Sequence, residues 1–474
     1  MGLVLGVVVA LVAVFGAGVV GGAVVETLPG FPGSLPFELE TGYVSVGDLE
    51  EVQLFYYFVK SESDFVFHTV TDPLLVWLSG GPGCSGLSAL LYDIGPLKFN
   101  VGAFNGSFAS IVLELNPYSW TKVANILFID QPVGAGISFS STEAASYTSD
   151  TIASKQLYMF LRKWLNVHPG FVNNPLYIGG NSYAGISVPL LLEHILAGLE
   201  AYLSPQMQLM GYVLGNPKTD FYIDNNMQIP YVYRVDLISD EYYEDAKLYC
   251  YGDYVNPQEN NTLCITALQS IQDCLLQINF HQVLEPLCDF TSQQVEELEW
   301  DILAREGRMM ESLFTADSNS AIKCREYAYL LSYKWANSPS VRNALGVLPG
   351  TVETWNRCLK NFSTYTEDVT TTLSIHKNLS EHTSLRALVY SGDHDISVPH
   401  LATEAWIRLL GVPVSDEWRA WYVDGQVAGY QTKYKNDHYS LTYATVKGAG
   451  HNAPQYKPEA ALALADRFFS FYPI

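Results

Sequence analysis

The 474-residue chain is poor in charge, and poorest in positive charge. Only 16% of its residues are charged, with 26 Lys+Arg against 49 Asp+Glu, a formal net charge of −23. Phosphate binding needs clustered Lys and Arg, so nucleic acid is excluded as an expected partner. No Cys-x-x-Cys occurs among the seven cysteines, which removes the usual zinc spacing. The glycine-rich segment Ser79–Gly83 is followed by no Lys-Ser/Thr, so it is no phosphate loop. Gly134-x-Gly136 lacks the third glycine of a dinucleotide fingerprint, because Phe139 stands there. There is no internal repeat, no low-complexity linker and no membrane-length apolar run after the first 25 residues.

What is present is apolar. Hydrophobic residues make up 48% and aromatics 13%, ample for a large core. The length fits two or three ordinary domains, or one large α/β domain with an insertion. Met1 to Val25 carries no charged side chain. Gly21 and Ala23 give it a small-x-small end, so residues 1–23 read as a signal peptide. The run is also long enough for a retained anchor, the alternative. After cleavage no stable membrane insertion is expected. Secretory entry and an odd cysteine count imply three disulfides and one free thiol, but six cysteines allow 15 pairings. Sequons stand at Asn105, Asn260, Asn361 and Asn378.

Short apolar runs predict strands at Gly42–Val46, Gln53–Val59, Leu74–Leu78, Asn125–Asp130, Leu176–Gly179, Met210–Leu214, Leu385–Tyr390 and Leu441–Val446. Apolar residues at three- and four-residue spacing predict helices over Thr151–Asn166, capped by Asp150, and over Ile186–Leu199. Alternating strands and helices imply a mostly parallel sheet covered on both faces. Five of the seven cysteines fall between about Asp236 and Leu345, together with helical stretches such as Gln293–Arg305. The expected organisation is therefore a core over 24–235 and 346–474, interrupted by a helical, disulfide-stapled cap over 236–345.

The chemistry centres on Gly180-Asn181-Ser182-Tyr183-Ala184-Gly185, a strand–turn–helix that reads as a nucleophile elbow. Ala184 breaks the strict Gly-x-Ser-x-Gly pattern. A nucleophilic serine needs a base, and the base an orienting carboxylate, here expected in the order Ser, Asp, His on loops after strands. Ser391-Gly392-Asp393-His394-Asp395 and Gly448-Ala449-Gly450-His451 follow the two late strands. Ser182, Asp393 and His451 are the expected triad, with Asp395 the rival carboxylate. The N–H groups of Gly81 and Tyr183 are the expected oxyanion hole.

These segments, with Trp77–Gly86, Asn116–Trp120 and Asp130–Gly134, resemble the serine carboxypeptidase family from about Leu35 onward. The resemblance implies an α/β-hydrolase fold and the same triad. It also implies disulfides Cys84–Cys358, Cys250–Cys264 and Cys288–Cys324, leaving Cys274 free. The family contains carboxypeptidases and plant acyltransferases that use sugar esters. The carboxypeptidases hold the substrate carboxylate with Asn before Gly-Gly-Pro-Gly and Glu before the nucleophile. Here Ser79 and Asn181 occupy those places. Ser79, His394, Asp424–Tyr430 and Ala453–Pro458 look like the acyltransferase branch, although Asn181 departs from its usual Asp. Ser79, Gly80, Asn181 and His394 are the expected substrate contacts. The resemblance implies acyl transfer from a 1-O-β-glucose ester to a small-metabolite acceptor, with no metal or coenzyme. A serine carboxypeptidase is the second reading. The vacuole or the extracellular space is the expected location.

Overall fold

The computed structural model describes residues 22–62, 72–104, 107–287, 325, 327–359 and 363–474. Its main feature is one twelve-stranded sheet. The strands are β1 Ala23–Val24, β2 Leu39–Val46, β3 Val52–Val59, β4 Leu74–Leu78, β5 Asn125–Ile129, β6 Phe139–Ser140, β7 Leu176–Asn181, β8 Leu209–Gly215, β9 Arg386–Gly392, β10 Val414–Val423, β11 Gln426–Lys435 and β12 Ser440–Val446. Their order across the sheet is β1-β2-β3-β5-β4-β7-β8-β9-β12-β11-β10, with β6 added beside β3. The six central strands β5, β4, β7, β8, β9 and β12 run parallel, and antiparallel strands flank them. The parallel centre is what the alternating elements imply, and the whole is the α/β-hydrolase architecture that the family resemblance implies.

The central strands read as unbroken apolar runs because both faces are buried. Leu75 and Trp77 enter one core with Phe128, Tyr177, Val213 and Leu388. Leu74, Val76 and Leu78 enter the other with Leu127, Ile178, Leu214 and Val389. The helix Asp150–Val167 covers the second face through Leu157, Phe160, Leu161 and Trp164. Its cap is Ser149, whose Oγ accepts from Ile152 N at 3.4 Å, rather than Asp150. Asp150 turns inward instead and accepts from the hydroxyls of Tyr183 and Tyr365 at 2.9 and 2.6 Å.

The hairpin of β10 and β11 has no counterpart among the expected strands. Its turn is Asp424-Gly425, both at positive φ, a short connection that suits the strand twist. In β10 most side chains are exposed, so no buried apolar face marked it.

The expected insert divides in two. Helices Asp240–Cys250 and Thr262–Leu275 pack around a separate small core of Tyr231, Val232, Ala246, Ile271 and Ile396. From Tyr327 onward the chain returns to the sheet: Leu331, Trp335, Ala336 and Val341 lie in the first core. Disulfides join Cys84 to Cys358 and Cys250 to Cys264, and Cys274 is an exposed free thiol. The expected Cys288–Cys324 pair, the Gln293–Arg305 helix, Asn105, Asn361 and residues 1–21 lie outside the described residues. Asn260 and Asn378 are both exposed. Among the described residues no helix is long and apolar enough to cross a membrane.

One ion pair gives the fold a pH signature. His168, at the end of the helix Asp150–Val167, places Nε2 2.9 Å from Glu40 Oε1, and Tyr56 donates to the same oxygen at 2.6 Å. Burial works against both charges. The Glu40 contact outweighs it for His168, whose pKa is raised, and His168 with Tyr56 outweigh it for Glu40, whose pKa is lowered. The histidine's contribution is present below its ordinary 6.5 and lost as pH rises through the raised value. The glutamate's is present above its ordinary 4.5 and lost as pH falls through the lowered value. His168→Gln should therefore lower the melting temperature clearly at about pH 5.5 and much less at about pH 8.5, as calorimetry at the two pH values would register.

Candidate active site

Four neighbouring parallel strands deliver the site. β7 ends in Asn181 and passes into Ser182, whose φ of 58° is left-handed. A non-glycine residue there is strained, and the surroundings must hold it. Ser182 N donates to Gly215 O at 3.0 Å, while Ser182 O accepts from Gly185 N and Lys218 N. Missing side chains make room for the turn. A Cβ on Gly80 would stand 2.7 Å from Ser182 Cβ, and one on Gly180 would meet the Ala184 methyl at 2.4 Å. The altered elbow motif thus has a packing reason: Ala184 fills space that Gly180 leaves open, and Gly185 admits Lys218 O.

Ser182 Oγ lies 2.8 Å from His451 Nε2. On the far side of the ring, His451 Nδ1 lies 2.7 Å from Asp395 Oδ2. The expected carboxylate is therefore corrected: Asp395, not Asp393, meets the imidazole. The reason lies in where the loop turns. Asp393 directly follows β9, and its Oδ1 accepts from Gly448 N at 2.7 Å and pairs with His394 Nδ1 at 2.5 Å. Asp395, two residues on, turns inward and is fully buried. It accepts from Asn216 Nδ2 at 2.8 Å, Ser397 N at 2.9 Å and Val398 N at 3.3 Å, besides His451. These donors supply the compensation that a buried carboxylate needs.

With Nδ1–H donating to Asp395, Nε2 is free to accept the Ser182 proton. Burial pulls the His451 pKa down, but the charge and hydrogen bond of Asp395 outweigh it, so the net shift is upward. Close by, Asn452 Nδ2 donates to the buried Asp93, whose carboxyl burial pushes up to about 7.

The glycine loop lies against the elbow. Gly81 has φ 118°, and neither its N–H nor that of Tyr183 has a backbone acceptor among the described residues. The loop is tied down on several sides. Cys84 N donates to Gly80 O, and the Cys84–Cys358 disulfide joins the loop to the segment 357–359, where Ser85 N donates to Arg357 O and Leu359 N to Gly83 O. Ser85 Oγ and Gly86 N donate to the buried Asp130 at 2.6 and 2.7 Å. Ser79 Oγ is engaged by Ser85 O at 3.2 Å. Asn181 is 9% exposed, and its Oδ1 has no hydrogen-bond partner among the described residues. His394, an expected substrate contact, has its ring nitrogen on Asp393.

Asn216 and His281 carried no expectation from the sequence, and Asp150 was expected only as a helix cap. Asn216 follows β8 at φ 41° and bridges two loops, donating to Asp395 and accepting from Gly392 N at 3.1 Å. Its position just after a buried parallel strand was the available signal.

Comparisons with known proteins show the family and the fold. The serine carboxypeptidase family model matches residues 29–471. Serine carboxypeptidase-like 13 from Arabidopsis thaliana is 43% identical over 96% of this chain and 95% of its own length. Serine carboxypeptidase-like 17 from the same plant is 43% identical over 96% and 94%. Among solved structures, a prohormone-processing carboxypeptidase from Saccharomyces cerevisiae superposes with a TM-score of 0.73 at 18% identity, covering 95% of each chain. That last likeness concerns the fold alone.

The two aspartates can be separated by labelling Ser182 with a serine-directed organophosphate. Asp395→Asn should slow labelling by roughly 10³–10⁴-fold, because the imidazole loses its orienting charge. Asp393→Asn should cost about tenfold or less. The wild-type rate should climb as His451 deprotonates, with a midpoint above the ordinary 6.5, and Asp395→Asn should move that midpoint down. Equal losses in both variants would contradict the assignment.

Proposed function

Since this chain belongs to the serine carboxypeptidase family, we propose that it uses Ser182 to carry an acyl group from a 1-O-β-glucose ester to a hydroxyl or amine of a small metabolite. The observation that carries this reading is the neutral pair flanking the nucleophile. A carboxypeptidase must grip a free carboxylate, and the family's peptidases do so with Asn and Glu. Here Ser79 is turned onto Ser85 O, and Asn181 presents a buried amide whose oxygen has no partner among the described residues. An amide cannot share a proton with a carboxylate as a glutamic acid can. The same amide can pair with the neutral hydroxyls of a sugar.

The reaction runs in two halves. Neutral His451 takes the Ser182 Oγ proton at Nε2 as Oγ bonds to the ester carbonyl carbon. Asp395 stabilises the resulting imidazolium. The N–H groups of Gly81 and Tyr183 face the developing oxyanion, a contribution of roughly 3–4 kcal/mol for each donor. The bond to the glucose oxygen then breaks, and that oxygen receives the proton from His451. In the second half His451 takes a proton from the acceptor as its oxygen or nitrogen bonds to the acyl carbon; the bond to Ser182 Oγ then breaks, and His451 returns the proton to that oxygen. Water competes at this step. Transfer prevails where the acceptor is held beside the acyl carbon and gains effective molarity.

The family's secretory character and the disulfides fit an oxidising compartment, for which the vacuole or the extracellular space is the proposed location.

The test offers the full chain two substrates. With an aromatic 1-O-acyl-β-glucose it should release one glucose per active site in a burst, and mass spectrometry should find the acyl group on Ser182. A blocked dipeptide should lose its C-terminal residue at least about 100-fold more slowly. Ser79→Asn combined with Asn181→Glu should raise peptide cleavage and lower glucose release. Rapid amino-acid release by the unaltered protein, with glucose esters left intact, would instead establish the carboxypeptidase reading.

A further inference from the structure

Among the described residues, a short strap of the insert, Asn279–Glu285, touches the relay. The strap is stiffened by its own contacts: Asn279 Oδ1 accepts from His281 N at 3.0 Å, and Gln282 Oε1 accepts from Leu284 N at 3.2 Å. It is also bonded to both loops that supply the acid and the base. On the acid loop, Ile396 N and Ser397 N donate to Phe280 O at 2.8 and 3.3 Å, and Val283 N donates to His394 O at 3.1 Å. On the base loop, His451 N donates to His281 O at 2.7 Å, and Gln282 Nε2 donates to Gly448 O at 3.1 Å. A Cβ at Gly450 would stand 2.0 Å from His281 O, so this approach depends on glycine.

The side chain of His281 extends the contact. Its ring stacks on that of His451, with centroids 5.0 Å apart and planes 18° from parallel, an offset aromatic pair. Both nitrogens of His451 are engaged by Asp395 and Ser182, so only its faces and carbon edge remain for packing. The charges that act on His281 come from His451 and Arg357. Partial desolvation and then the charges of His451 and Arg357 lower the His281 pKa, and because the residue is exposed the desolvation part is weakened by solvent. Two cationic rings in contact repel, so a cationic His451 favours a neutral His281, and the face of an uncharged aromatic ring attracts a cation.

We propose that His281 is a positioning residue of the relay, holding the His451 imidazole between Asp395 and Ser182 and stabilising its positive charge against an aromatic face. The proposal rests on the reading of Ser182 as nucleophile and His451 as base. Its consequence is that the insert is a working part of the site, since it fixes the two catalytic loops to each other.

The experiment compares His281→Leu with His281→Phe in the full chain. Both fill similar space, and only Phe keeps a flat π face. The readout is the second-order rate constant for Ser182 labelling by a fluorophosphonate across a pH series, with thermal unfolding followed in parallel. His281→Leu should lose about tenfold in rate, and its pH midpoint should fall, because the cation has lost its platform. His281→Phe should keep most of the rate and the midpoint. If the Leu variant does not fold, His281→Gln, which also lacks an aromatic ring, takes its place. Labelling of the ring-less variant at the wild-type rate and midpoint would overturn the proposal, and so would a Phe variant as slow as Leu. Failure of the unaltered protein to label at all would overturn the nucleophile reading beneath it.

Discussion

Parallel strands set side by side end at the same edge of a sheet, and the relay depends on that fact. β7, β8, β9 and β12 are consecutive neighbours, paired as Asn181 with Gly215, Gly215 with Tyr390, and Gly392 with Val446. Each contributes one polar group just past its last paired residues: Ser182, Asn216, Asp395 and His451. No single loop spans the site, so its distances are set by the sheet's register and its hydrogen-bond spacing. A one-residue slip in any of the four would turn its apolar side chains to the wrong face as well as displace the polar group it carries. Packing of the two cores and alignment of the site are therefore enforced by the same constraint.

Buried carboxylates then lock the loops in place. Asp130 gathers the glycine loop through Ser85 and Gly86, and Gly136 is required beside it, because a Cβ there would fall 2.2 Å from its carboxylate. Asp150 gathers Tyr183 and Tyr365, which ties the residue after the nucleophile to the start of the helix Asp150–Val167. Asp395 gathers Asn216, the following turn and the base. Each carboxylate is buried where desolvation is costly, and each has two or more donors to offset it.

Much of this was legible in the residues. The central strands announced themselves as apolar runs ending in Gly, Ser or Asp, and Ser182 and His451 stood where such runs stop. The choice between Asp393 and Asp395 was not legible. Two residues in a tight loop differ by a turn of the backbone that no periodicity records, and only the partners of each carboxylate separate them. Asp150 looked like a helix cap because acidic residues favour helix starts, yet Ser149 could do that work while two tyrosine hydroxyls claimed Asp150. The β10–β11 hairpin failed to register because its outer strand is exposed, although its Asp-Gly turn was in plain view. His281 carried no signal of its own, since its importance comes from a segment that meets the relay only after folding.

The bond between Cys84 and Cys358 crosses 274 residues and encloses the whole insert within one covalent ring. A protease that opened the backbone between those two cysteines would leave both products joined beside the glycine loop. The strands on either side of the cut would also remain interleaved, since β8 and β9 are sheet neighbours drawn from opposite sides of the insert. Such a two-chain form would keep one continuous sheet and one intact relay, so maturation by cleavage is topologically compatible with this fold.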